Sequence, residues 1–232
     1  MDYPYIDKNL DSIKKRIADA ARSAERRPED VVLLAAIKSA DVAEIEHLCK
    51  SCGISVVGEN RVQQLTERYE AVKKLGVELH FIGSLQTNKV KYIIDKVSLI
   101  HSLDSERLAE EIQKQAQRRG ITARVLIEIN SGGELSKGGI DRDSVEDFCR
   151  SMQKYPNISV CGFMTMAPRC ERKEDYYPYF DSTREIAHRV WREVLMREGE
   201  PILSMGMSES FDVAIECGAN MVRIGRSLFA KD

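Results

Sequence analysis

The chain has 232 residues, of which 35 are lysine or arginine and 37 aspartate or glutamate, giving a formal charge of −2 at pH 7 with histidine neutral. So even a balance offers no basic field for nucleic acid or an anionic membrane surface. The N-terminus Met1-Asp2-Tyr3-Pro4 has no basic stretch leading into an apolar one, and no run of about 18 apolar residues occurs, so a cytosolic protein without a nucleic-acid or membrane partner is expected.

Leu10, Ile13, Ile17 and Ala21 recur three and four apart among charges, predicting an amphipathic helix over 7–25 ahead of the first strand. Val31 to Lys38 is an apolar, β-branched run followed by Ser39-Ala40-Asp41, the pattern of a strand buried on both faces. A helix over 42–52 stops at Gly53, and 54–60 is a second strand. The alternation continues with helix 61–75, strand 78–83, helix 87–95 and strand 97–103, and Asp104 is placed to cap a helix ending at Gly120. Strand 123–130, a glycine-rich loop 131–139 and helix 143–154 follow. Then come strand 158–166, a charged, tyrosine-bearing segment, a long helix through Arg197, strand 201–207, a helix starting at Ser208 and strand 221–225. Eight strands separated by helices, without a linker or low-complexity tract, predict an α/β fold: one (β/α)8 TIM barrel spanning 1–232 with an extra N-terminal helix. A doubly wound open sheet is the alternative, but the first strand–helix turn lacks a GxGxxG pattern.

Six cysteines (49, 52, 149, 161, 170 and 217) form no secreted framework and are expected to be reduced. Cys49-Lys50-Ser51-Cys52 matches CxxC, but no second pair with zinc-site spacing exists, so small buried thiols are expected.

In a (β/α)8 barrel, chemistry gathers at the carboxyl ends of the strands. Lys38 ends the first. An ammonium in an apolar setting is costly, and desolvation favours the neutral amine, which makes Lys38 a candidate Schiff-base nucleophile; the alternative is a lysine that snorkels to solvent. Met205-Gly206-Met207-Ser208 and Arg223-Ile224-Gly225-Arg226-Ser227 fall after strands seven and eight, where barrels bind phosphate on backbone N–H groups. Glycine permits close approach and the Ser208 hydroxyl can donate, although Ser208 also suits a helix N-cap. A reactive lysine beside a phosphate site leaves a lysine aldolase or a pyridoxal 5′-phosphate (PLP) protein.

The segments LLAAIK (33–38), GENRVQQ (58–64), HFIGSLQTNK (80–89), SMGMSESFDVAIECGANMVRIG (204–225) and LFA (228–230) resemble the pyridoxal phosphate homeostasis proteins, the YggS/PROSC-like family, over essentially the whole chain. That family's barrel is similar to the N-terminal domain of alanine racemase. The resemblance implies a PLP carrier or buffer in vitamin B6 homeostasis, without evident catalysis. Lys38 would form the Schiff base, and Ser208, Gly225 and Arg226 would surround the phosphate, the last two by backbone N–H, with Met207 beside it. Arg223 would lie near the pyridine nitrogen and Asn60 near the ring. Read without the resemblance, Arg223 suits a surface ion pair. An arginine cannot accept the pyridine proton, which restrains carbanion chemistry. The partners implied are PLP and PLP-dependent apo-enzymes, and the oligomer expected is a monomer or weak homodimer.

The chain departs from the family pattern in four places: Ile37 stands where serine is common, Ser39-Ala40 where a second lysine or threonine pair is common, Gln64 replaces a glutamate, and Ala230 replaces glycine. Asn130, Glu134, Lys137 and Gly139 keep the spacing of the family's loop after strand five, where Lys137 is a second candidate amine. Alanine racemase adds a β-rich domain with a tyrosine acid/base, whereas this sequence runs seven residues past Gly225. A PLP-dependent amino-acid racemase or lyase is the enzyme alternative.

Overall fold

The computed structural model describes residues 3–133 and 138–231. Helix α1 (Pro4–Ser23) starts on a proline already fixed at helical φ and buries Ile6, Leu10, Ile13, Ile17, Ala20 and Ala21, the stripe expected from the sequence. Eight parallel strands follow: β1 (Val32–Ala36), β2 (Val56–Glu59), β3 (Glu78–Phe81), β4 (Leu99–Leu103), β5 (Ala123–Asn130), β6 (Ile158–Thr165), β7 (Ile202–Ser204) and β8 (Met221–Ile224). Each pairs with its neighbours in chain order. The β8–β1 and β4–β5 pairings complete the circuit, so the sheet closes into the expected barrel and not the open alternative. A two-residue strand, Ile140–Asp141, adds to the end of β5.

Between strands run α2 (Val42–Lys50), α3 (Val62–Lys73), α4 (Glu106–Arg119), α5 (Val145–Ser151), α6 (Tyr177–Glu193) and α7 (Phe211–Glu216). The β3–β4 crossover is not the expected α-helix but a 3-10 helix, Thr87–Tyr92, followed by turns. The cap of α4 is Ser105, whose hydroxyl accepts from Leu108 N–H; Asp104, placed there from the sequence, instead accepts from the Ser105 hydroxyl. Strand β7 is shorter than the 201–207 run, ending at Ser204; Gly206 then turns to φ +86, where an added Cβ would lie 2.6 Å from Ala214 Cβ and 2.7 Å from Phe211 Cα of α7.

Side-chain alternation divides the barrel residues into two populations. Outward residues such as Ala35, Val57, Phe81, Val125, Phe163 and Val222 join the helices in one large core. Inward ones form two small apolar clusters, Leu34, Val56 and Met221, and Leu99, Leu126 and Met164, both touching Ile202. They make an apolar layer inside the barrel.

Gly162 on β6 has φ +151, and an added Cβ would lie 2.1 Å from the Ile202 carbonyl oxygen of β7. Gly76 has φ +68 but open space around it. Gly162→Ala is therefore expected to cost about 3 kcal/mol or more, against about 1–2 kcal/mol for Gly76→Ala, which carries only the left-handed backbone term. Urea unfolding midpoints of the two variants check this, and equal losses would contradict it.

Candidate cofactor site at the barrel mouth

Lys38 occupies the turn directly after β1. Its side chain is exposed, so the sequence argument from desolvation does not hold; what distinguishes Lys38 is the rigidity of its turn. Ile37 donates to the Gly58 carbonyl at 3.0 Å, and Ala40 N–H closes the turn on the Ile37 carbonyl at 3.1 Å. The Arg68 guanidinium reaches the same carbonyl at 2.9 Å while pairing with Glu59 at 2.9 Å. Glu59 is buried, which pushes its carboxyl up, and Arg68 opposes that push. Ile37 belongs to the outer core, so a hydroxyl at that position would face helices and not the barrel axis.

The phosphate-type loops come together as the sequence predicts. Ser208 is not the α7 cap; its hydroxyl accepts from Ser227 N–H at 3.3 Å, tying the loop after β7 to the loop after β8. The residue at the N-cap position of α7 is Ser210. Among the described residues, the backbone N–H groups of Ser208, Glu209 and Arg226 donate to no protein acceptor. Ser227 Oγ is buried without a partner. Gly225 abuts β1, since a Cβ there would fall 2.8 Å from the Ala36 carbonyl oxygen. Gly225, at the start of the loop after β8, thus lies against Ala36, two residues before Lys38 in the chain. Met207 is largely exposed, and the Arg226 side chain turns out to Glu209 at 2.5 Å, leaving only its backbone for the loop.

Arg223 is 5% exposed, which excludes a surface ion pair. Its Nη1 donates to Ser204 O at 2.6 Å and Ser204 Oγ at 2.8 Å, and Nη2 donates to Thr165 O at 3.0 Å. Three of the five guanidinium N–H groups are thereby committed, leaving two as donors. Burial draws its pKa down to about 10, countered by Glu128. Asn60, at the end of β2, keeps a buried Oδ1 without a partner. Asn130 is buried at the end of β5; Glu134 and Lys137 lie outside the described residues.

Sequence reasoning missed the polar interior behind Arg223. His101 lies between His80 and Ser204, with Nε2 3.1 Å from His80 Nδ1 and Nδ1 3.1 Å from Ser204 Oγ. His80 Nε2 then meets Glu78 at 3.2 Å. The Glu78 carboxylate only accepts, so with neutral imidazoles His80 donates to it from Nε2–H and accepts at Nδ1 from His101 Nε2–H, which leaves His101 Nδ1 to accept the Ser204 hydroxyl proton while Ser204 Oγ accepts from Arg223. Burial keeps both imidazoles below their ordinary pKa, in accord with this neutral, one-directional chain. Glu128 also faces this interior, where burial and the neighbouring Asp104 raise its carboxyl to about 7.

Comparison with known proteins follows this geometry. Residues 8–231 match the family model described as alanine racemase, N-terminal domain. A protein named pyridoxal phosphate homeostasis protein from Aquifex aeolicus is 46% identical over 222 residues, 96% of each chain. The chain belongs to the pyridoxal phosphate homeostasis protein family. PipY of Synechococcus elongatus PCC7942, a structure with PLP bound, superposes with a TM-score of 0.80 at 26% identity, over 92% of this chain and all of that one. Alanine racemase of Clostridium difficile 630 superposes at 0.74 with 18% identity, over 99% of this chain and 57% of the racemase, which is a likeness of fold.

Glu128 supplies a pH test of the interior. Its folded pKa is above the carboxylate's ordinary value, so the native state favours the protonated form. The associated stability is full below about pH 4.5 and is lost as pH rises through about 7. Glu128→Gln is expected to gain about 3 kcal/mol over the native sequence at pH 8 and almost nothing at pH 4.5. Unfolding midpoints at the two pH values measure this; a difference independent of pH would show that Glu128 is not titrating in the barrel.

Proposed function

We propose that this chain binds PLP in the barrel mouth, covalently and reversibly through Lys38, and carries or buffers it for PLP-dependent apo-enzymes without turning over amino acids. The observation that carries the reading is Arg223, a buried guanidinium with two uncommitted donors on the strand that leads into the free backbone N–H groups and pairs with β1, the strand that Lys38 follows. The family supports it, and so does PipY, whose structure has PLP bound. The working unit is the single barrel domain, residues 1–232, with its thiols reduced in the cytosol.

The residues suit this group piece by piece. The free N–H groups of Ser208, Glu209 and Arg226, with the orphan Ser227 hydroxyl, match a phosphate dianion's need for several donors. Gly225 keeps the loop against β1, so the phosphate would lie close to Lys38. Met207 covers the phosphate side, and the unpartnered Asn60 Oδ1 offers an acceptor near the ring. Bound PLP supplies an aldehyde that condenses reversibly with primary amines and a ring that withdraws electrons best when its nitrogen is protonated. Arg223 only donates, so a ring nitrogen facing it stays unprotonated. Its position is fixed from behind by Ser204, which the two histidines hold in one orientation.

Lys38→Ala is expected to abolish the absorbance of lysine-bound PLP, roughly 420 nm by the general chemistry of such adducts. Borohydride treatment of the unaltered protein should label the Lys38 peptide in mass spectrometry. A full band in the variant, with label on another lysine, would assign the amine elsewhere. Ser208→Ala should weaken binding by about 1.5–3 kcal/mol, the range for one hydrogen bond to a charged group. A bulky residue at Gly225 is a poorer probe, because it strikes the Ala36 carbonyl before it reaches any ligand.

Restraint by Arg223 is tested separately. PLP-loaded native protein should not exchange the α-hydrogen of alanine with deuterium over many turnovers, whereas folded, PLP-loaded Arg223→Glu should exchange faster, as read by NMR. Rapid racemisation by the native protein would establish the enzyme alternative.

A further inference from the structure

Cys52 belongs to the CxxC pair that the cofactor site does not use. Its natural neighbours are not in a second cysteine pair but in α1 and α2. Asp7 Oδ1 receives His47 Nε2 at 2.8 Å and the Cys52 thiol at 3.1 Å, and the three donor atoms all lie within 4.8 Å of one another. Asp7 lies near the start of α1, His47 in α2, and Cys52 just after the end of α2. The His47 side chain is mostly buried, with the Tyr3 ring centred 5.3 Å from its own, so the imidazole is held in place.

We propose that Asp7, His47 and Cys52 form a divalent-metal site, selective for Zn²⁺, that clamps α1 to α2. One sulfur, one imidazole nitrogen and one carboxylate oxygen are a ligand set that zinc accepts, and hard cations such as magnesium do not. With zinc–ligand bonds of about 2.0–2.3 Å, tetrahedral donors stand about 3.3–3.8 Å apart, so the trio needs to shift by only about 1 Å. On binding, Cys52 gives up its thiol proton to solvent, His47 shifts its proton from Nε2 to Nδ1 so that the Nε2 lone pair faces the ion, and the hydrogen bonds to Asp7 are replaced by metal bonds. Cys49 packs against the core and is not among the three clustered ligands, so water would complete the fourth position.

The clamp bears on the cofactor site through α1. Two residues after Asp7, the Asn9 amide donates to the carbonyls of Leu228 at 3.2 Å and Ala230 at 3.0 Å, immediately beyond the Gly225–Ser227 loop. Arg16 of the same helix pairs with Asp212 of α7 at 3.1 Å. Metal at Asp7 would therefore hold the helix that backs the phosphate-type loops.

Co²⁺ and Zn²⁺ titrations of the full, chelator-treated protein test the site. One Co²⁺ per chain should bind with the near-ultraviolet thiolate-to-cobalt band and the strong visible bands of a four-coordinate ion, and Zn²⁺ should displace it. Zinc at a hundredfold excess over its dissociation constant should raise the thermal midpoint by about 5–10 °C. Cys52→Ser should remove the thiolate band, Asp7→Asn and His47→Asn should each weaken binding by about tenfold or more, and Cys49→Ser should change neither. Absence of stoichiometric binding, weak octahedral bands, or a thiolate band that survives Cys52→Ser in a folded protein would overturn the site.

Discussion

The upper half of this barrel depends on burying one guanidinium. Arg223 projects into the interior with no carboxylate in hydrogen-bond contact, and neutral acceptors meet three of its N–H groups. A buried cation left without such partners costs several kcal/mol, so Ser204 must present an acceptor on that side. The two histidines supply the constraint by taking the Ser204 proton. Glu128 adds charge at a distance, and its own raised pKa keeps that countercharge partial near neutrality. The apolar cluster of Leu34, Val56 and Met221 packs inside the barrel on the β8–β1–β2 side, while the histidine chain ends on the exposed Glu78 at the start of β3.

Around this fixed cation the rest of the mouth is assembled from loop ends. Strand β8 carries Arg223 and runs directly into Gly225 and Arg226, so one strand sets both the buried cation and the half of the N–H cluster that follows it. The hydroxyl of Ser208 joins that strand's loop to the loop after β7, and the approach of Gly225 to Ala36 brings both beside β1. The Glu59–Arg68 pair fixes the β1 turn from the opposite side. The Lys38 side chain extends from this fixed turn into solvent.

The alternation of strands and helices, the barrel, the pairing of the last two loops and the inward arginine were legible in the sequence because each leaves a local pattern or a family motif. The histidine chain was not, because it depends on register. His80 and His101 sit in apolar strands, and only the β2–β3 and β3–β4 pairings show that they face one interior. Of the two sequence readings of Lys38, the structure agrees with the side chain that snorkels to solvent and not with the desolvated one, because β1 ends at Ala36 and Lys38 falls in the turn beyond it. The α4 cap was misplaced by one residue, where aspartate and serine compete for the same role. Cys52 shows the limit of spacing rules, since its closest polar neighbour is Asp7, 45 residues away in sequence.

The central claim is that Arg223, held as a pure donor by a neutral hydrogen-bond chain, faces the ring nitrogen of the cofactor. Nitrogen-15 NMR of the protein loaded with PLP labelled at the pyridine nitrogen tests it most directly. An unprotonated pyridine resonance through the neutral pH range, moved by His101→Phe in folded, loaded protein, is the predicted result. A pyridinium resonance at neutral pH would contradict the account.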